Sequence, residues 1–436
     1  MKEQKPQSVD VAIVGAGLAG LATAALLLRD GHSVVVLERS PRCGGRAATT
    51  ASGSFRLNLG PHALYEGGPA ARVLADLDVG YRGRRPSIDG ALAYHGGRLH
   101  TLPGGFLSLV TTSLCGVSGK LELARLLASL ESIDARSLDS TSVTTWLNDS
   151  IADPVVRDLV GALLRLSTYS NDPAAASAGA AVEQLQAAVG RGVRYVDGGW
   201  QTLVDALAAR VEAAGGHVRV GARVARVRAA DDGCRASLDD GTTVEAAAVV
   251  LAVEPAVAAR LVDGPGGDVL GEWRDAARPL RAACLDVALR ELPRPQSTFC
   301  LGIDEPLYLS VHSRYAELAP RGGAVVHALR YLEPGAADGE ASERALESLM
   351  DRVQPGWRER IVERRYLPNM TVAFDVPAAA RGGLAGRPGP EVPGAPDLFV
   401  AGDWVGDRGQ LVDASLASAS AAAAAISARL ARLRAA

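Results

Sequence analysis

The chain has 436 residues, of which 48% are hydrophobic, 22% charged and only 4% aromatic, with a formal net charge of −3. Such a length builds two or three domains with a large core, and the near-neutral balance excludes a broad electrostatic footprint for nucleic acid. Five scattered cysteines (Cys43, Cys115, Cys234, Cys284 and Cys300) without a CxxC pair, and seven histidines without HxxxH or HExxH spacing, predict reduced thiols in a cytoplasmic protein and no metal site.

The first element is an apolar run over residues 11–28, preceded by Lys2 and Lys5. By charge and length it imitates a secretory signal or a membrane span. Gly15, Gly17 and Gly20 interrupt it in GxGxxG spacing, and glycines in that position weaken a membrane helix. The spacing predicts a strand over 11–14, a turn at Gly15-Ala16-Gly17, and a helix that runs from Leu18-Ala19-Gly20 to Leu28 and stops at Asp30-Gly31. A second strand over 33–37 ends in Glu38 and Arg39. Strand, glycine turn and helix form a dinucleotide site: Gly15 for the tight turn, Gly17 for close approach of a pyrophosphate, Gly20 for helix–strand packing. Glu38 then stands where a ribose hydroxyl is held.

The chain continues "RSPRCGGRAATT" and "FRLNLGPHALY", and near its other end reads "PDLFVAGDWVGDRGQLVDASLASASAAAAAI". Gly44-Gly45-Arg46, Gly60-Pro61-His62 and the Gly402-Asp403 tail resemble the FAD-binding proteins of the flavin amine oxidase and phytoene desaturase superfamily, the phytoene desaturase-like members more closely. The resemblance spans essentially the whole chain. It implies an α/β fold: a discontinuous Rossmann-like FAD-binding domain plus a substrate domain of mixed β-sheet and helical cap. It places Gly44, Gly45 and Arg46 beside the phosphates, Gly60, Pro61 and His62 near the flavin ring, and the Val224 backbone against adenine. Asp403 falls near the ribityl and phosphate part, and the helix start at Gln410, Leu411 and Val412 at the pyrimidine edge, where its dipole stabilises charge on the reduced ring. Many relatives carry Asp two residues before the glycine of the GPH segment. Asn58 stands here, which removes any role that needs a negative charge.

The implied layout assigns residues 1–84, 191–262 and 389–436 to the FAD domain, with the strand over 249–253 closing its parallel sheet. Residues 85–190 read as a helical cap from their helical spacing. Residues 263–388 read as a mixed sheet with one clear helix over 342–353. The stretch 381–396, rich in Pro and Gly, reads as a surface loop. The apolar, glycine-broken stretch 102–117 is too short for a span. It reads either as a membrane contact or cavity entrance, or as packing between domains.

A flavin in this fold takes a hydride from a substrate C–H bond, with position and electrostatics left to the protein. The first reading is a desaturase- or dehydrogenase-like enzyme with non-covalent FAD, acting on an apolar or secondary-metabolite small molecule and passing electrons to oxygen or a quinone. The alternatives are an amine oxidase, a porphyrinogen-oxidase-like enzyme and a non-catalytic flavin binder. The amine reading is weakened because no lysine lies in the second insertion and Gln410 stands where an aromatic cage residue would. Candidates near the reacting carbon are His62, Tyr65, His312, His327 and Arg330, with His62 favoured by the motif. The layout predicts no integral membrane span and allows a peripheral membrane contact.

Overall fold

Two sheets organise the chain in the computed structural model, which describes residues 7–230, 233–336 and 338–435. Lys2 and Lys5 lie outside the described residues. Val11–Val14 and Val34–Leu37 are buried, as uninterrupted apolar runs require in a parallel sheet covered on both faces. The parallel strands run in the order His217–Arg219, Val34–Leu37, Gln7–Val14, Thr243–Leu251 and Ala395–Val400. The expectation that the strand near residue 250 closes this array is corrected. Thr243–Leu251 is central and the late strand Ala395–Val400 lies outside it, with the hairpin Val224–Ala230/Gly233–Leu238 on its first half.

The first helix, Leu18–Arg29, starts directly after the glycine turn and packs against Gln201–Ala213 and the last helix, Leu411–Ala435. By length and composition the last helix could cross a membrane, yet half of its apolar window is buried. Leu416, Ala419, Ala422, Ala423 and Ile426 join the core around the first helix.

The second sheet has seven strands among the described residues, in the order Ile361–Ala373, Leu280–Leu289, Ala324–Tyr331, Leu307–Val311, Phe299–Gly302, Leu92–His95 and Arg98–Thr101. One face packs on the amphipathic helix Gly339–Val353 through Leu346, Leu349, Met350 and Val353. The other face looks toward the first domain. The hairpin Leu92–His95/Arg98–Thr101 lies in the segment read as helical, and it pairs with Phe299–Gly302 of the mixed sheet. The rest of that segment holds the helices Val117–Ser129, Val143–Ser150, Pro154–Thr168 and Ala178–Gly190. The stretch 102–117 divides: Leu102 and Leu114 are buried, whereas Leu107 and Val117 are 75% and 86% exposed.

Candidate functional site

A single cavity of about 1430 Å³ runs from the C-terminal ends of the parallel strands to the helical segment. At its first end the Gly15 turn has φ +107°, and a Cβ there would meet the Ala252 carbonyl oxygen at 2.6 Å. A Cβ on Gly20 would collide with the Gly15 carbonyl oxygen, so the helix approaches the strand only because both positions lack side chains. Gly17 is different. A Cβ there meets nothing within 4 Å and would project into open space at the cavity wall. Beside it Gly44 donates its N–H to the Ala16 carbonyl at 2.9 Å, which brings the Gly44-Gly45-Arg46 turn onto the same rim.

Glu38 is buried at this end. Its Oε2 accepts from the Ala16 N–H and its Oε1 from the Ser40 N–H, both at 2.8 Å. Each carboxylate oxygen retains acceptor capacity for a further hydroxyl. Arg46 donates to Asp403 Oδ2 (2.6 Å) and to the Val372 carbonyl (2.7 Å), and its guanidinium lies 3.9 Å above the Phe374 ring. Asp403 is 2% exposed and its Oδ1 has no hydrogen-bond partner, a costly state that a ligand donor would relieve. Trp200 Nε1 on the same wall is likewise buried and unpartnered. The open space at Gly17, the free acceptor on Asp403 and the free donor on Trp200 fit a long polar group laid along this end.

Gly15, Gly17, Leu18, Ala19, Glu38, Arg39, Gly44, Gly45, Arg46, Pro61, His62, Val224, Gly402, Asp403, Leu411 and Val412 line the cavity. Ala16, Gly20 and Gly60 sit just behind that wall. Ala16 is bound to Glu38, and Gly60 packs near Met370 and Cys284. Gln410 requires a correction. Its amide donates to the Ala180 carbonyl at 2.8 Å, away from the cavity, because Leu411 turns at φ +55° and the wall is completed by Leu411, Val412 and Ser415. The stretch over 381–396 is not all surface, either. Burial lowers the Arg387 guanidinium to about 10, and the side chain donates to the carbonyls of Asp403 (3.0 Å) and Gly409 (2.7 Å), holding the tail loop in place.

His62 also departs from expectation. Nδ1 faces the Gly60 carbonyl and Nε2 the Arg46 carbonyl, each at 3.1 Å, and the ring leans on Trp200 with centroids 4.7 Å apart. Burial lowers it to about 4. The neutral ring carries one N–H and donates to one of the two carbonyls, while its other nitrogen faces the second, so neither nitrogen is turned toward the cavity. Asn58 is structural too: its Oδ1 accepts from Thr49 Oγ1 (2.7 Å) and the Trp200 N–H (3.1 Å).

The far end is built from Leu102, Leu127, Leu130, Leu159, Leu163, Leu166 and Leu185, with Tyr65, Tyr169, Tyr195, Phe299, Tyr308 and His312. His327 and Arg330, expected near the reacting carbon, do not line it. His327 lies behind the wall on Asp286, its strand partner. The acids on the cavity wall (Glu38, Asp239, Glu254 and Asp403) come from the segments around the parallel sheet, and among the described residues no lysine lines it.

Asp413 lies at the start of the last helix, its Oδ1 accepting from the Ala70 N–H at 2.8 Å. Burial raises its carboxyl to about 6 from the ordinary value of 3.8. The folded state therefore binds the proton more tightly than the unfolded chain, and stability falls as pH rises from about 4 to about 6. Asp413→Asn keeps the acceptor and removes the buried charge. It should stabilise the chain above pH 6 by at most about 3 kcal/mol and leave it unchanged at pH 3.5. Urea titrations at both pH values check this; equal stability of the two proteins at pH 8 would contradict it.

A glycine-turn α/β sheet and a mixed sheet thus share one long cavity, polar at the glycine turn and apolar at its other end. The model of the flavin containing amine oxidoreductases matches residues 18–427. The chain belongs to that family. It is 30% identical over 270 residues to a flavin-containing monoamine oxidase-like protein of Mycobacterium tuberculosis, covering 58% of each chain. It is also 30% identical over 283 residues to the phytoene dehydrogenase of Streptomyces griseus, covering 58% of this chain and 55% of that one. The matched region thus spans less than two thirds of these relatives' length. Among solved structures, putrescine oxidase bound to putrescine superposes with a TM-score of 0.75 at 22% identity, covering 97% of this chain and 100% of that one. An oxidoreductase from Methanosarcina mazei gives 0.75 at 20%, covering 94% and 99%. At such identities the likeness is one of fold.

Proposed function

We propose that the chain is an oxidoreductase that holds FAD without a covalent bond and oxidises a C–H bond of a neutral, lipophilic small molecule. The observation that carries the reading is the asymmetry of the cavity: polar and glycine-rich at one end and, among the described residues, apolar and free of carboxylate and lysine at the other. Bound FAD supplies a two-electron acceptor; position and electrostatics fall to the chain. The Gly15–Gly20 turn and Gly44-Gly45 receive the diphosphate on main-chain N–H groups, with Arg46 beside them. Glu38 accepts from ribose hydroxyls, the Val224 backbone faces adenine, and Asp403 Oδ1 accepts from the ribityl chain. The helix start at Leu411 and Val412 points its dipole at the ring. No cysteine lines the cavity, in keeping with a non-covalent cofactor.

Glu38→Ala removes the ribose acceptor. The expected result is at least a tenfold loss of FAD affinity, since a hydrogen bond to a charged group contributes about 1.5–3 kcal/mol. Undiminished flavin occupancy after exhaustive dialysis would count against the assignment.

An apolar wall solvates an ammonium poorly, which favours neutral substrates over amines. Anaerobic mixing with squalene or geranylgeraniol in detergent, set against dodecylamine and putrescine, tests this by loss of the flavin band. Bleaching by the neutral lipids and not by putrescine is expected; bleaching by the amines alone would establish amine oxidation instead. Electrons then pass to oxygen or a quinone. Ile88, Leu127 and Val189 line the cavity and are also exposed, and Leu107, Val110 and Val117 add to the exposed apolar surface of the same domain. That surface suits a peripheral membrane contact of a cytoplasmic protein, through which a lipid reaches the mouth.

A further inference from the structure

Among the described residues one sulfur lines the cavity, the thioether of the half-buried Met370. Met350 is fully buried in the core of the mixed sheet, and Met1 lies outside the described residues. The five cysteines stay off the wall. Cys284 shares the space behind Gly60 with Met370 but is fully buried. Burial and the Asp286 carboxylate push its thiol well up, so it is no nucleophile.

Met370 stands where the two ends of the cavity meet. On one side it joins the cluster of Tyr308 and Tyr331, together with Leu166, Tyr169 and Phe299. On the other, a Cβ added to Gly60 would meet its Cε at 2.7 Å and its Sδ at 3.3 Å. Gly60 is left-handed at φ +77°, and its missing side chain is the room into which the thioether fits. Two residues further along the strand, the Val372 carbonyl accepts from Arg46, which holds Asp403 at the polar end. A cofactor at the polar end therefore meets a substrate at the apolar end beside this sulfur. Met370 and Tyr331 are the two cross-strand partners of Ala282, so they share one face with only a methyl group between them. The Tyr331 hydroxyl is buried without a hydrogen-bond partner, a free donor on the same face as the thioether.

We propose that Met370 is a modification site: hydrogen peroxide formed in the cavity oxidises its sulfur, and the sulfoxide weakens the hold of the apolar end on lipophilic substrates. The assignment rests on the reading that the chain holds FAD and passes electrons to oxygen. Oxygen then takes two electrons and two protons from the reduced cofactor and becomes hydrogen peroxide. The sulfur lone pair attacks one peroxide oxygen, and the O–O bond breaks as the S–O bond forms. The second oxygen leaves with both hydrogens as water; the thioether loses two electrons and the peroxide gains them. The new oxygen is an acceptor for the idle Tyr331 hydroxyl, which gives the modified side chain a fixed place. It also turns a flexible apolar wall residue into a larger, polar one, at the point where a substrate must approach the cofactor. The product of the reaction thus closes the site that makes it.

The test uses the FAD-loaded full chain, with catalase present to destroy peroxide that escapes. Its flavin is photoreduced without oxygen, reoxidised by air, and cycled repeatedly before peptide mass spectrometry. Met370 should gain one oxygen atom and Met350 none, and a chain stripped of FAD should gain none at either position. The cycled protein, at unchanged FAD occupancy, should be bleached about tenfold more slowly by geranylgeraniol or dodecylamine, whichever bleaches the fresh protein. Methionine sulfoxide reductase should restore the rate. Met370→Leu, whatever its starting rate, should keep that rate through the same cycles. A photoreduced flavin that air does not reoxidise, an unmodified Met370, equal oxidation in the stripped chain, or a full sulfoxide with an unchanged rate would each overturn the proposal. A fresh protein that neither donor bleaches, with Met370 oxidised on cycling, would overturn the C–H oxidation reading and leave the modification site standing.

Discussion

Gly17→Val should fold with nearly wild-type stability and be colourless, whereas Gly20→Val should lose both flavin and stability. The two glycines share one motif and differ in what surrounds them. The Gly17 Cβ direction is empty, with nothing within 4 Å, so the Cβ of a valine there meets no protein atom and its side chain enters the space the proposal assigns to the diphosphate. A side chain on Gly20 runs into the Gly15 carbonyl and the Ala252 side chain, prising the helix from the strand it must pack on. Urea unfolding should place Gly20→Val several kcal/mol below wild type and Gly17→Val within about 1 kcal/mol. A yellow Gly17→Val protein with full occupancy would mean that the turn does not hold a phosphate.

The largest loss of stability from a single polar side chain is expected at Asp286. Burial alone would raise its carboxyl, but His327 and Arg365 outweigh that and hold it below the ordinary range. Asp286→Ala leaves the Arg365 guanidinium, which also donates to the Asn58 carbonyl, without its main counter-charge, and strips His327 of its acceptor. Removing one member of a buried ion pair costs about 3–5 kcal/mol. Because Arg365 ties the mixed sheet to the segment that leads into Gly60-Pro61-His62, flavin occupancy should fall as well. A change below about 1 kcal/mol in urea, with full occupancy, would show that the ion pair is incidental.

The polar, glycine-lined half of the cavity was legible in the sequence because its information is local. Gly15, Gly17, Gly20 and Glu38 fall within 24 residues, and each answers to a backbone constraint that spacing reveals. The apolar half was not, since Tyr65, Tyr169, Tyr195 and Tyr308 come from four separated segments and an alternating strand reads alike whether it faces a core or a cavity. Arg365, Asp286 and His327 meet only through strand register, which a single sequence does not disclose. The hairpin over 92–101 was lost among helical neighbours because each of its strands has four residues. Gln410 was misplaced for a smaller reason: one left-handed residue after it decides which side chains face inward.

The central claim is that the polar end of the cavity holds FAD without a covalent bond. A visible spectrum of the purified chain, repeated on the supernatant after acid precipitation with mass identification of the released compound, tests it most directly. The account predicts a yellow protein that releases all of its flavin as FAD. A colourless protein that gains no flavin band on incubation with FAD, or a flavin that stays with the precipitate, would contradict it.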